Sequence, residues 1–318
     1  MSTAPKGRNT GTAPKGRNTG TAPKGRNIGT APKGRNIGTA PKRRMSVWRS
    51  LRWEQKLFWR NPSAAVFTFV FPLVFLVVFL ALRSGDTLTR DGHTIKFAQF
   101  YVPAIMAFGV ISACYTQFAF TTVIRREQGV FKRKRGTPLP TRTYLAGIVA
   151  NSVVIGLLIA ALVAVAGVVF YGVELPDPLV RLPSLLVVLL VGSFAFAGLG
   201  ALVSTWAPNE EAASGMINLL LFPALFISGT FGPAPKGSLI DKIASVLPVK
   251  PFNEAVIRVF DPFASSAVPR VGSLAVVAAW GIVAVVLAVR SWRWEPSLPT
   301  AGRARGRSRS RSAEQQAS

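Results

Sequence analysis

Histidine and cysteine, the side chains that most often hold metals or act as bases and nucleophiles, occur once each in this chain. His93 lies in a polar connector and Cys114 lies inside an apolar stretch. A His/Cys metal site and an intrachain disulfide are therefore excluded, and a Ser-His-Asp triad would have only His93 available. Gly11–Gly16 and Gly232–Gly237 have the glycine spacing of a phosphate-binding loop but lack the Lys-Ser/Thr pair that must follow. We expect no nucleotide site, no bound cofactor and no catalytic residues in this chain.

One interior segment is dense in charge: Arg125–Leu145, which reads RREQGVFKRKRGTPLPTRTYL. It holds seven Lys or Arg residues against one acid, Glu127, and its two prolines fix the direction of the backbone. A short amphipathic helix near Arg126–Arg135, stopped by the following Gly-Thr-Pro, would form a rigid projection between two apolar stretches. Rigidity is what a protein needs if a soluble partner is to push on its membrane spans, so this segment is a candidate site of force transmission.

The composition is that of a membrane protein, with 49% hydrophobic residues, 16% charged residues and a mean hydropathy of +0.35. A helix needs about 20 mostly apolar residues to cross a bilayer. Six segments qualify or nearly so: Ala64–Leu82, Phe100–Ile124, Tyr144–Tyr171, Pro183–Trp206, Ser214–Phe231 and Val271–Val289. We predict an all-α integral membrane protein with six transmembrane helices within residues 63–294.

The loop charges predict how these spans are oriented. The segment Lys42–Arg60 and the connector Arg125–Arg142 hold seven Lys or Arg residues each, whereas the connectors Arg83–Gln99 and Gly172–Leu182 hold three and one. Because basic loops stay in the cytoplasm, we expect both termini and the Arg125 segment on the cytoplasmic side of the membrane. The connector Gly232–Arg270 weakens this count, since it holds five basic residues.

The two ends of the chain are polar and basic. Residues 1–44 consist of a nine-residue tandem repeat, TAPKGRNTG or TAPKGRNIG, with a broken last copy, and residues 295–318 include GRARGRSRSRS. Neither end has enough apolar surface to offset the entropy of ordering the chain, so we expect both to be disordered. Met45 is a possible alternative start of translation.

Two further amphipathic regions flank the spans. Residues 45–62 place Arg49, Arg52, Lys56 and Arg60 on one side of a helix, Val47, Leu51 and Phe58 on the opposite side and three tryptophans on the flanks. This pattern is typical of a helix in the cytoplasmic membrane interface with its cations toward anionic lipid. After the fifth span, Ser238 and Asp241 predict the start of a short helix that ends at Pro248, and Phe252–Phe260 predicts a second one. We expect both short helices to enter the membrane from the outer side.

Three stretches together resemble a known family: RREQGVFKRKRGTPLPTRTYLAG, NEEAASGMINLLLFPALFISGTF and LPVKPFNEAVIRVFDP. They are similar to the type-2 ABC transporter permeases, especially the drug-efflux branch typified by daunorubicin-resistance permeases. The resemblance covers about Ser46 to Trp294. It implies six spans, an interfacial N-terminal helix, a cytoplasmic coupling helix between the second and third spans, and re-entrant outer helices after the fifth.

The resemblance also implies which residues carry the function. Those that match the ATPase-coupling segment are Arg126, Glu127, Gly129, Gly136, Thr137 and Pro138, and those that match the transport-path or gating motif of the fifth span are Asn218, Pro223, Ser228 and Gly229. Gly147 matches the start of the third span. The chain departs from the family pattern at Ile148, where a basic residue is common, and at Gly232-Pro233, which replaces a more apolar pair.

The function implied is that of the membrane subunit of an ATP-driven exporter in a bacterial cytoplasmic membrane, with residues 63–294 as its permease domain. Two permease copies would dock on two ATPase subunits, which bind ATP-Mg, and would move a small amphiphilic or drug-like substrate out of the cell. A lipid-linked glycan is an alternative cargo. An ion-coupled carrier is a second alternative, although no span has an Asp, Glu, Lys or Arg well inside its apolar run. A nucleic-acid binder that uses the basic tails is a third, but it leaves the spans without a purpose.

Overall fold

The computed structural model describes residues 46–83, 85–90, 93–131, 141–230, 237–264 and 270–291. Within these residues, six helices are long and apolar enough to cross a membrane, which confirms the predicted all-α, six-span fold. The predicted disordered ends, 1–44 and 295–318, lie outside the described residues. So does 132–140, which contains three of the six predicted coupling residues, Gly136, Thr137 and Pro138.

The elements follow one another in a simple order. They are α1 (Val47–Trp59), α2 (Pro62–Leu82), strands β1 (Thr87–Arg90) and β2 (His93–Lys96), α3 (Phe97–Ile111), a π-helical turn (Ser112–Thr116), α4 (Gln117–Glu127), α5 (Thr141–Tyr171), α6 (Pro178–Trp206), α7 (Glu210–Ile227), α8 (Leu239–Val246), α9 (Val249–Phe260) and α10 (Val271–Ser291). Spans 1 to 6 are α2, the continuous run α3–α4, α5, α6, α7 and α10. The two strands pair antiparallel, with Thr87 opposite Lys96.

Several helix ends agree with the predicted spans, such as Leu82, Tyr171 and Trp206, whereas others differ. Span 4 begins at Pro178 rather than Pro183, because the charged Arg181 is buried in its first turns instead of lying in the connector. Span 5 ends at Ile227 rather than Phe231, because Gly229 adopts a positive φ of 77°, which a helix cannot continue.

Span 2 forms the centre of the bundle. In its most apolar stretch 83% of the residues are buried, against 22% in spans 1, 5 and 6. Span 3, span 4 and α9 pack around span 2, and span 6 packs along span 4. Spans 1 and 5 therefore have long, exposed apolar surfaces, which include the side chains of Phe67, Leu219 and Phe226.

The bundle has two distinct ends. At the connector end, span 2 and span 4 end, span 5 begins, and α1 packs against the start of span 3. At the hairpin end lie β1–β2, the start of span 4 and the end of α9. Here Gln99 donates to the carbonyls of Glu174 (2.7 Å) and Phe260 (2.6 Å), and Arg181 donates to the carbonyls of Val259 (2.9 Å) and Asp261 (2.6 Å).

The two short helices predicted after span 5 are present. Ser238 caps α8 by accepting from the Asp241 amide at 3.1 Å, as the sequence predicts, and α9 begins at Val249, three residues earlier than predicted. The indole nitrogen of Trp280 in span 6 donates to the Val246 carbonyl at the end of α8 (2.8 Å). Trp280 lies nine residues beyond the start of span 6, or about 14 Å along it. This depth supports the predicted re-entry, which stays a prediction.

Candidate functional site: the charged end of span 2

Span 2 ends in three consecutive charged residues, Arg125, Arg126 and Glu127, and each contacts a different part of the chain. Adjacent positions on a helix lie about 100° apart, because one turn takes 3.6 residues. One short stretch of helix can therefore reach several neighbouring elements at once. We name these three residues the span 2 hub.

Arg125 joins span 2 to α1 and to span 3. Its guanidinium forms an ion pair with Glu54 at 2.7 Å and donates to the Tyr144 hydroxyl at 3.0 Å. Glu54 is only 3% exposed although it belongs to the amphipathic α1. A carboxylate buried to this degree requires a charged partner. Arg125 therefore fixes α1 against the bundle.

Arg126 holds the end of span 4. It is 5% exposed, and its guanidinium donates to the carbonyl of Ser204 at 2.8 Å and to that of Ala207. The last carbonyls of a helix lack partners within the helix and carry a partial negative charge, so a cation at this position both pairs and neutralises them. Because Arg126 is buried among the spans, its contacts lie within the chain rather than on a docking surface.

Glu127 holds the beginning of span 5. Its carboxylate accepts a hydrogen bond from the Glu210 amide at 3.0 Å, and Asn209 accepts from the Ala212 amide at 2.8 Å. Negative groups at a helix N-terminus meet unpaired amides and the positive end of the helix dipole. Arg126 and Glu127 are neighbours in sequence. They thus form hydrogen bonds on the two sides of the short turn that joins spans 4 and 5.

The chain after the hub turns sharply and is anchored again. Gly129 has φ 66°, and its amide donates to the Arg126 carbonyl at 3.1 Å, so this glycine ends the helix in a conformation that other residues adopt only with strain. Phe131 is buried, with its ring edge-on to Tyr144 at 5.8 Å between centroids. Gly136, Thr137 and Pro138 lie outside the described residues, so the coupling helix itself stays a prediction.

The four predicted residues of span 5 fall into two pairs. Asn218 and Pro223 are exposed, on the side of α7 that also presents Leu219 and Phe226. Ser228 and Gly229 are buried at the end of the helix, where the Ser228 hydroxyl donates to the Leu225 carbonyl at 2.8 Å. Only the first pair lies on a surface that a substrate or a second chain can reach.

A polar groove of about 620 Å³ adjoins the hub. It is lined by Phe120, Glu127, Asn209, Glu210, Glu211 and Ser214. Ser214 lies four residues before Asn218 and therefore on the same side of α7, one turn nearer the connector end. The groove leads from the hub onto the exposed side of span 5.

Sequence reasoning missed several of the residues that hold this site together. Glu54 is the only acid in residues 45–62, and a single acid among cations was the available signal that it pairs inside the protein. The apolar side predicted for α1, Val47, Leu51 and Phe58, was only partly right. Ser50, Glu54 and Phe58 are the buried residues, because α1 packs so closely on span 3 that a side chain at Gly147 would overlap Ser50.

Comparison with known proteins gives two consistent results. Residues 45–260 match the model of the ABC-2 type transporter family. The chain is also 28% identical, over 190 residues, to the daunorubicin resistance ABC transporter permease protein DrrB1 of Streptomyces coeruleorubidus; the match covers 58% of this chain and 62% of that relative. The family match covers every element from α1 to α9, including the hub and both residue pairs of span 5. This chain therefore belongs to the ABC-2 type transporter family of membrane permeases.

Proposed function

We propose that this chain is the membrane subunit of an ATP-binding cassette exporter, which moves a drug-like or amphiphilic substrate out of the cell with ATP hydrolysed by a separate ATPase subunit. The observation that carries the proposal is the span 2 hub. One turn of helix is bonded to α1, to span 3, to the end of span 4 and to the start of span 5. A force applied next to this turn reaches most of the bundle.

The connector that follows the hub is the element on which the ATPase acts. Its basic residues support a cytoplasmic position under the positive-inside rule, and the same rule supports cytoplasmic termini. Gly129, Gly136, Thr137 and Pro138 belong to the segment that couples to the ATPase, while Arg126 and Glu127 pass its displacement to spans 4 and 5. The ATPase subunit binds and hydrolyses ATP-Mg. The permease changes conformation and catalyses no reaction itself.

A pair of permeases forms the transport path. The outward sides of spans 1 and 5 are apolar and lie at the rim of the bundle, where a second copy can pack against them. Asn218 and Pro223 then line the path, while Ser228 and Gly229 end span 5 and set the position of the segment that follows. The polar groove at the connector end gives an amphiphile a polar entrance beside an apolar route.

The substrate class rests on the relative. That protein is named for daunorubicin resistance, and the family match of this chain includes the span that carries Asn218. A drug-like amphiphile is also the cargo that suits a path with one polar amide among leucine and phenylalanine side chains.

The test is reconstitution in inverted proteoliposomes with the ATPase that co-purifies with the detergent-extracted chain. We expect a fluorescent amphiphile such as daunorubicin to accumulate inside only with ATP, and the permease alone to hydrolyse none. Accumulation that follows a proton or sodium gradient without ATP would instead identify an ion-coupled carrier.

A further inference from the structure

The amphipathic helix α1 has two sides of opposite character. Ser50, Glu54 and Phe58 are buried against the bundle. Arg49, Arg52, Lys56 and Arg60 are all exposed and fall on the opposite side of the helix. Because the one acid of this region is buried, every charged side chain on the outward side of α1 is positive.

Tryptophans flank these cations. Trp48, Trp53 and Trp59 are 62%, 56% and 53% exposed. The Arg52 guanidinium lies 5.4 Å from the Trp48 ring and the Lys56 ammonium lies 5.8 Å from the Trp53 ring, distances at which cation–π attraction holds the charges beside the rings. Indoles prefer the boundary between hydrocarbon and headgroups, so the cations are held at headgroup depth.

The position of α1 relative to span 1 agrees with this placement. The Trp59 ring stacks on Phe69, in the second turn of span 1, with 5.6 Å between centroids and 11° between planes. Only a short turn at Arg60–Asn61 separates the two helices. The cationic side of α1 therefore lies where span 1 leaves the hydrocarbon.

We propose that the outward side of α1 is a binding surface for anionic phospholipid headgroups, and that its occupancy is transmitted to the span 2 hub through the Glu54–Arg125 ion pair. Charge complementarity and depth select this partner, because an anionic headgroup is the negative group available at the hydrocarbon boundary. The lipid surface exists whether or not the proposed function is correct. Only its effect on transport rests on that function.

Transmission follows from the contacts on the buried side. Glu54 is 3% exposed and bonded to Arg125 at 2.7 Å, and Arg125 is bonded in turn to Tyr144. A change in the depth or tilt of α1 therefore pulls on the last turn of span 2 and the first turn of span 3. Those two turns flank the connector on which the ATPase is proposed to act.

A photo-cross-linking amino acid at Leu57, which is 47% exposed on α1, tests the surface directly. In nanodiscs with equal phosphatidylglycerol and phosphatidylcholine, we expect adducts mainly with phosphatidylglycerol. The same cross-linker at Leu239 on α8 should show no preference. Replacing Arg52 and Lys56 by glutamine should weaken the preference at Leu57 by roughly 25-fold at low salt, since each cation near an anionic surface contributes about fivefold.

The matched control removes the same charge at the other end of the bundle, with Lys242→Gln and Arg270→Gln. It should leave the preference at Leu57 unchanged. An unchanged preference in the Arg52/Lys56 variant would overturn the lipid surface. Equal loss in the control would overturn it too, because net charge alone would then be responsible.

The transmission step is tested by thermal unfolding in the same nanodiscs, without ATPase or transport. Phosphatidylglycerol should raise the Tm of the wild-type chain, because a ligand that binds the folded state stabilises it. Glu54→Ala should keep the cross-linking preference at Leu57 but lose most of this rise, and Glu54→Gln should lie between. If phosphatidylglycerol raised the Tm of Glu54→Ala as much as that of the wild-type chain, transmission through the ion pair would be refuted. Failure of ATP-driven transport would leave both results intact and count only against the proposed function.

Discussion

At the scale of residues, this protein relies on side chains that serve as helix caps over long distances in sequence. Arg126 and Glu127 bond to residues 78 to 83 positions away, at the end of span 4 and the start of span 5. In a membrane span an uncapped helix end close to hydrocarbon is costly, so these two charges stabilise the fold and join the end of span 2 to spans 4 and 5.

The first prediction concerns Glu127. Glu127→Ala removes the charged acceptor from the start of span 5, a loss of about 1 to 2 kcal/mol. We expect membrane insertion to be unchanged and substrate moved per ATP hydrolysed to fall by about tenfold, with Glu127→Gln between the two. Asp86→Ala, which removes an exposed acid at the hairpin end, far from the hub and the groove, is the control and should transport normally. Normal transport by Glu127→Ala would remove Glu127 from the coupling route.

The second prediction concerns Arg126. Arg126→Ala leaves the carbonyls of Ser204 and Ala207 without this donor, and we expect a loss of roughly 3 kcal/mol in the free energy of unfolding. For a chain of this size that corresponds to a fall in Tm of about 5 to 10 °C in detergent. Arg290→Ala, at an exposed position in the last turn of span 6, should change the Tm by less than about 2 °C. Similar shifts for both variants would show that Arg126 has no special role.

At the scale of elements, the close packing of α1 on span 3 determines which side of α1 contacts the bundle. The helix meets span 3 at Gly147, where a Cβ would overlap Ser50, and this contact brings Glu54 within reach of Arg125. The apolar pattern of α1 predicts a helix but not this side of contact. Two residues select the contact instead: the small Gly147 on span 3 and the buried acid Glu54 on α1. Each is a weak signal in a sequence.

Gly147→Ala tests this packing against an identical change elsewhere. We expect Gly147→Ala to destabilise the chain by about 1 to 3 kcal/mol, because the added methyl group has no space. Gly272→Ala in α10, where a Cβ meets nothing within 4 Å, should be neutral or stabilising by up to about 1 kcal/mol. Thermal unfolding measures both.

A second-site change provides the decisive check on Gly147. Adding Ser50→Gly to Gly147→Ala removes the atoms that the methyl group would overlap and should restore most of the lost stability. A double variant as unstable as Gly147→Ala alone would mean that the clash lies elsewhere.

At the scale of the whole molecule, the distribution of burial indicates which parts are scaffold and which meet a partner. Span 2 is the buried axis, held by bonds at both ends, whereas spans 1 and 5 present broad apolar sides. In a protein that works as a pair, the exposed side of span 5 is where copies would meet.

A cysteine at Leu219, 74% exposed on span 5, tests the proposed pairing in a Cys114→Ser background. We expect it to cross-link to a second copy in native membranes with a short bismaleimide. The control is a cysteine at Leu179, 91% exposed at the hairpin end, which should stay monomeric. Cross-linking at Leu179 but not Leu219 would place the pairing surface elsewhere.

The sequence by itself determined the six spans, the short helices after span 5 and the family, because the transfer of a side chain into lipid is a local property that adds up along the chain. Helix-capping residues such as Ser238 could also be predicted from the sequence, because they bond to residues only three positions away. Only the tertiary structure decided which elements Arg125, Arg126 and Glu127 would bond, and that Arg181 and Glu54 would be buried. Those partners are distant in sequence, and a charge becomes a buried cap only when packing brings a helix end or an opposite charge within 3 Å of it.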